Sequence, residues 1–322
     1  MPFVQYHTQP ALRSPIVIAA LAGWNDAADA ATTTIKFLIE RWKPVTLAEI
    51  DGEEFFVFTE TRPTIRITEG VQRTITWPTN QFLGYQAPEL EHDIILYLGS
   101  EPQLKWRTFS GCFLEICKQF QVSEVLLLGA LLADVPHSME VPITGAASNE
   151  ELLERLHEID IHSSRYEGPT GMIGILQDVC RQSHIPVASL WAAAPHYIAA
   201  TPNVKVTAAL LTYLNTFLSL DLDLNTIQSD SVHFEEQITA LVARDPDASA
   251  YVHKLEEQVT NLLNEDDDED DEDNEAIIDN LDKPASSGPL PSADALIRSV
   301  EELLRNEREN GNPQSNDEQE SE

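Results

Sequence analysis

Five apolar runs of strand length recur along the chain and alternate with stretches of helical period. The runs are "PIVIAALA" from Pro15, "VTLAEI" from Val45, "DIILYLG" from Asp93, "VSEVLLLGAL" from Val122 and "IPVASLWAA" from Ile185. Runs this continuously apolar are strands buried on both faces, as in a mostly parallel sheet. Between them lie "DAADAATTTIKFLIERW", "QLKWRTFSGCFLEICKQF" and "GMIGILQDVCRQSH", and "NVKVTAALLTYLNTFLSL" closes the series. Strands alternating with helices predict a layered α/β fold with right-handed crossovers. One stretch breaks the rhythm. "EEFFVFTETRPTIRITEGVQRTITWP" alternates apolar and polar residues around Glu69-Gly70 and predicts an antiparallel hairpin at the sheet's edge.

After Asp223 the texture changes. "SVHFEEQITALVAR" places Phe234, Ile238, Leu241 and Val242 at helical spacing, Asp245-Pro246 interrupts, and "SAYVHKLEEQVTNLLN" resumes with Val252, Leu255, Val259 and Leu262. Two amphipathic helices joined by a proline turn form a helical hairpin. The chain therefore divides into an α/β core (1–225), a helical hairpin (226–264) and an acidic linker and tail (265–322). The tail's run "EDDDEDDEDNE" cannot bury apolar area and repels itself, which predicts disorder. Beyond it, "SADALIRSVEELLRNERE" predicts one amphipathic helix with Ser292 as its cap.

Charge narrows the partners. Residues 265–322 carry 21 acidic and 4 basic side chains, half of a net charge of −34. A surface this acidic lacks the Lys and Arg clusters that nucleic acid and anionic membranes require, so neither is expected as a partner. The three cysteines, Cys112, Cys117 and Cys180, sit in apolar helical surroundings and read as buried thiols of a reducing compartment. No metal or cofactor is expected. Arg13 followed by "SPIVIAALA" faintly mimics a secretory signal. The run continues into an amphipathic helix, so a first core strand is the better reading. No stretch approaches membrane-spanning length, and the expected compartment is the cytoplasm.

The chemistry-bearing residues gather just after the predicted strands. Gly23-Trp24-Asn25-Asp26 joins the first strand to the first helix. Asn25 or Asp26 suits a helix cap and Asp29 the helix's positive end, and the carboxylates argue against phosphate there; a polar site using Asn25 or Asp26 is the alternative. "RYEGPTGMIG" opens another helix with Gly168, Thr170 and Gly171, where free N–H groups could receive an anion, although Glu167 stands beside them. Glu101, Asp134, His137 and His196 follow three more strands. Residues past strand ends can converge on one crevice in an open α/β sheet. Asn25, Asp26, Glu101, Asp134, His137, Glu167, Thr170 and His196 could thus share a rim, as acid and base, as holders of a metal, or simply as residues that stabilise turns or a subunit interface. No GxGxxG, P-loop, nucleophile elbow or HExxH pattern accompanies them. The two readings that follow are a non-catalytic interaction protein and, as the alternative, an enzyme or small-ligand binder using the strand-end crevice.

"GWNDAADAAT", "LGSEPQLKWRTF", "LLGALLADVPH", "YEGPTGMIGILQDVC" and "SLWAAAPHYIAATPN" occur in an order that resembles the bacterial branch of the proteasome assembly chaperone 2 family, over roughly residues 14 to 260. The resemblance implies a three-layer α/β/α sandwich, nucleoside-phosphorylase-like, with a C-terminal helical addition. It also implies homo-oligomers, trimers above all, and proteasome subunits as possible partners. Two departures stand out. Pro136-His137-Ser138-Met139-Glu140-Val141 stands where relatives often read "PHTRPV", so the arginine that could hold an anion is missing. Glu320-Ser321-Glu322 stands where proteasome-docking relatives can carry a hydrophobic-Tyr-X ending.

Overall fold

The computed structural model describes residues 2–68, 72–164, 166–198 and 202–265. The Glu69-Gly70 turn, the rest of the acidic tail after Glu265 and the helix expected after Ser292 lie outside the described residues. The strands in chain order are β1 (Val4–Tyr6), β2 (Ile16–Ala22), β3 (Val45–Ile50), β4 (Thr64–Thr68), β5 (Gln72–Thr76), β6 (Gln81–Tyr85), β7 (Ile94–Ser100), β8 (Glu124–Ala133), β9 (Ile143–Ala147), β10 (His162–Ser163) and β11 (Val187–Pro195). The α-helices are α1 (Ala30–Trp42), α2 (Trp106–Gln119), α3 (Glu150–His157), α4 (Met172–Gln182), α5 (Val204–Leu218), α6 (Asn225–Val242) and α7 (Pro246–Glu265).

Nine strands form one sheet in the order β1-β3-β6-β7-β2-β8-β11-β9-β10. Its centre, β7-β2-β8-β11, is parallel throughout. The flanks differ from the mostly parallel expectation: β1 with β3, β3 with β6, β6 with β7 and β9 with β11 all pair antiparallel. The eight residues between β6 and β7 suffice only for an antiparallel return, whereas β3 with β6 and β9 with β11 are antiparallel across much longer connections, the latter holding two helices.

The continuous apolar run of β2 shows why two helical layers are needed. Ile16, Ile18 and Ala20 point into a core with α1 and α5. Val17, Ala19 and Leu21 point the opposite way, into a core with α2 and α4. Side chains alternate across a strand, so a strand without a polar face must be covered twice. Cys112, Cys117 and Cys180 lie in the second core, where burial pushes the Cys180 thiol up to about 12.

A third, smaller core joins α6 and α7 to the strand-end segment. Phe234, Ile238, Leu241, Val252 and Leu255 pack with Tyr197 and Ile198. The helical hairpin expected after Asp223 is therefore seated on the C-terminal end of β11. The β4–β5 ribbon departs from expectation in a different way. It is a separate two-stranded sheet, with Ile65 opposite Ile75 and Ile67 opposite Arg73. No helix of the described residues is long and apolar enough to cross a membrane.

Candidate functional site

The loop from β2 to α1 is a capped turn: Asp29 holds the N-cap position of α1 without a side-chain bond, and the acceptor is Asp26, three residues earlier. Its Oδ1 accepts from the backbone N–H of Ala31 at 2.8 Å and of Thr32 at 3.2 Å, while Oδ2 accepts from the Thr32 hydroxyl at 2.5 Å. These satisfy donors that a helix start leaves unpaired. Reaching them requires a tight turn at Ala27–Asp29, where Ala28 and Asp29 take left-handed φ of 53° and 54°. Two such residues in succession are strained. The Ala28 carbonyl accepts from the Asn203 N–H ahead of α5, which helps to hold the turn. Burial raises the Asp26 carboxyl pKa, and its bonds to Thr32 pull the other way.

Asn25 serves a second cluster, built around Glu101 at the end of β7. Glu101 Oε1 accepts from Asn25 Nδ2 at 3.0 Å and from the Met172 N–H, the first of α4, at 2.7 Å. Oε2 accepts from the Trp24 N–H at 3.3 Å. Gly171, which precedes α4, has no side chain to cap it, so a carboxylate 71 residues away does so. The helix start at "GPTGMIG" that could receive an anion is thus capped by a carboxylate of the chain itself. Two glycines make the room. Gly23 has φ +134°, and a Cβ on Gly171 would lie 2.2 Å from Asn25 Nδ2. Thr170 and Glu167 join neither this cluster nor the next; both side chains are exposed.

The third cluster clasps the helical hairpin to the core. The Tyr197 hydroxyl bonds the His137 backbone N–H and Nδ1, and Nε2 lies 3.2 Å from Thr239 Oγ1 on α6. Lys205 Nζ donates to the carbonyls of His137 (2.6 Å) and Met139 (2.7 Å) and to Glu235 (2.5 Å). Ser138 donates to Glu256 on α7. Nearby, His196 Nδ1 lies 3.1 Å from Asp134 Oδ1, and its ring meets Tyr197 and Tyr251 edge-on. Burial, with the Lys205 charge second, pushes the His137 pKa down to about 4, so the imidazole is neutral at neutral pH.

The strand-end rim therefore resolves into separate groups: Asp26 on α1, Asn25 with Glu101, and His137 with His196 through Tyr197. The roles of Tyr197, Lys205, Glu235, Thr239 and Glu256 escape sequence reasoning because their bonds to the rim span many tens of residues. A narrow cleft beside the third cluster encloses about 300 Å³ including its open mouth, and His137, Asn203, Lys205 and Glu235 help to line it. Every proton of the Lys205 ammonium is already bonded. Among the described residues, no group of three or more His, Cys, Asp or Glu side chains could hold a metal ion.

The PAC2 family model matches residues 20–242. The chain is 37% identical to the Mycobacterium tuberculosis proteasome-assembly chaperone homologue Rv2125, over 74% of this chain and 99% of that one, with a TM-score of 0.66. A PAC2 family protein from Streptomyces avermitilis matches with 38% identity, the same two coverages and a TM-score of 0.66. PbaB of Pyrococcus furiosus, an archaeal proteasome activator, shares the fold at 17% identity, with a TM-score of 0.60 over 74% of this chain and 97% of that one. No protein with a curated description matches the chain. A family match across more than half of the residues, joined by relatives aligned over nearly their whole length, identifies the chain as a member of the PAC2 family.

Proposed function

We propose that the chain is a non-catalytic, assembly-chaperone-like protein that acts in the cytoplasm as a homo-oligomer, a trimer by preference, with proteasome subunits among its clients. The observation that carries this reading is the β4–β5 ribbon. Ile65, Ile67 and Ile75 are 61%, 65% and 55% exposed, and Trp77 at its base is 53% exposed. Two strands alone are marginally stable in water, and an apolar ribbon without cover is a surface for another protein. Arg62, Arg66 and Arg73 make the ribbon basic on a chain of net charge −34. That complementarity favours the acidic body of another copy. Asp26, Glu101 and His137 meanwhile spend their polar atoms on caps and on the clasp, which supports an interaction role over catalysis. Rv2125, a proteasome-assembly chaperone homologue, and PbaB, an archaeal proteasome activator, support the same client class.

Light scattering on the full chain at micromolar concentration tests the reading. The expected mass is an oligomer's, and Ile67→Asp with Ile75→Asp lowers it to that of a monomer while the circular dichroism of the core is retained. A wild-type monomer overturns self-association. Affinity capture from native lysate then reads the clients, and absence of proteasome subunits overturns that part.

A further inference from the structure

The corner formed by Trp24, Asn25, Glu101 and Met172 has the donors of an anion site and an anion already in it. Three N–H groups, two from Trp24-Asn25 and one from Met172, converge on one carboxylate at the positive end of α4. Among the described residues, no Lys, Arg or His forms an ion pair with Glu101, so donors and helix end stabilise its charge. A second observation points beyond a simple cap. Asn25 is 2% exposed, and its Oδ1 has no hydrogen-bond partner. That oxygen sits against the start of α4, where a Cβ on Gly171 would lie 2.6 Å from it. The opposite amide assignment would turn Oδ1 toward the Glu101 carboxylate, so the orphan acceptor belongs to the site. A buried acceptor without a donor is costly, and a carboxylate has no proton to offer it.

We infer that this corner is a latent phosphate site, closed in the wild-type chain by the carboxylate of Glu101. Hydrogen phosphate fits the full set of groups. Its oxygens accept from the Trp24, Asn25 and Met172 donors, and its P–O–H donates to Asn25 Oδ1. Sulfate and acetate satisfy the donors only. While Glu101 is seated the corner binds no phosphate, and removal of its side chain opens it. This inference is independent of the self-association reading, since the ribbon shares no residue with the corner.

The test uses the full chain and inorganic phosphate. Glu101→Ala should lower the melting temperature by several degrees, and phosphate should restore most of the loss. At matched ionic strength, sulfate and acetate should restore less and chloride nothing. The wild type and Glu101→Gln, whose side chain still fills the corner, should not respond. In parallel, ³¹P NMR should show phosphate broadened by Glu101→Ala and not by the wild type, and Asn25→Ala added to Glu101→Ala should abolish the preference for phosphate over sulfate. If Glu101→Ala does not fold in chloride, its refolding yield in phosphate against chloride reads the same quantity. Equal responses of wild type and variant, rescue by no anion, or sulfate equal to phosphate would each overturn the inference.

Discussion

Tyr197 and His137 bond to each other twice. The tyrosine hydroxyl accepts from the histidine's backbone N–H at 2.7 Å, so its own hydrogen is directed to Nδ1 at 2.9 Å. Nδ1 is therefore the acceptor, and Nε2 carries the ring proton toward Thr239 Oγ1. The clasp between core and helical hairpin is built for a neutral imidazole.

A pH dependence follows. The unfolded histidine titrates near 6.5, and the folded one near 4, chiefly because it is buried. Between these values the unfolded chain binds a proton that the folded chain does not, so stability falls as pH falls through this window. The loss is at most about 3 kcal/mol and is complete below the folded pKa. Urea unfolding at pH 7 and pH 4.5 measures it. Because carboxylates also titrate there, the informative quantity is the difference from His137→Gln, which should lose less stability than wild type on acidification. Equal losses would contradict the neutral clasp.

Asp26→Ala removes the acceptor from two backbone N–H groups and one hydroxyl at the start of α1. The expected cost is about 2 kcal/mol, toward the upper end for a cap because the site is buried. Partner binding should fall only as far as the folded population falls. Wild-type stability with abolished binding would show instead that Asp26 belongs to a ligand site.

Gly171→Ala is a one-carbon probe of the Glu101 corner. The new Cβ would come within 2.2 Å of Asn25 Nδ2, closer than atoms can approach, so the amide must move off Glu101. A destabilisation of about 1–3 kcal/mol is expected from overpacking of this kind. Thermal melts of Gly171→Ala and of Gly168→Ala, at an exposed position in the same loop, should separate the corner from the loop. A neutral Gly171→Ala would show that the corner is soft.

Ending the chain at Asn264 removes the acidic run, whose composition offers almost no apolar area to bury. The melting temperature should change by less than about 5 °C, which for a chain of this size corresponds to roughly 1–2 kcal/mol. A larger drop would show that the tail packs on the core.

Periodicity carried most of the architecture. The double-sided burial of β2 is written in "IVIAALA", and the stripe Phe234, Ile238, Leu241 and Val242 faces the third core as its spacing implies. Asp26 was legible as a cap because cap chemistry is local. The antiparallel flanks were not, since pairing direction depends on where a strand docks and not on its own residues. The same limit hid the clusters. Glu101 and Met172 stand 71 positions apart, and His137 and Thr239 stand 102 apart. A sequence shows that Glu101 follows a strand, while the helix end it faces is decided by the fold. His137 and Glu101 both follow strands and could have shared a rim; they hold different partners.

The place of β2 in the sheet has a consequence for synthesis. This strand is made first among the four central ones, yet both its neighbours, β7 and β8, come later in the chain. Roughly 70 residues separate its end from the start of β7, which at ordinary elongation rates is a delay of roughly 4–15 s. Throughout that interval a seven-residue apolar segment leaves the ribosome with neither edge paired nor either face covered by the later helices. Transiently exposed apolar segments with unpaired edges are aggregation-prone and are what holdase chaperones shield, so the nascent chain should depend on them over this interval. Slowing translation between Ala22 and Ile94 should lengthen that dependence.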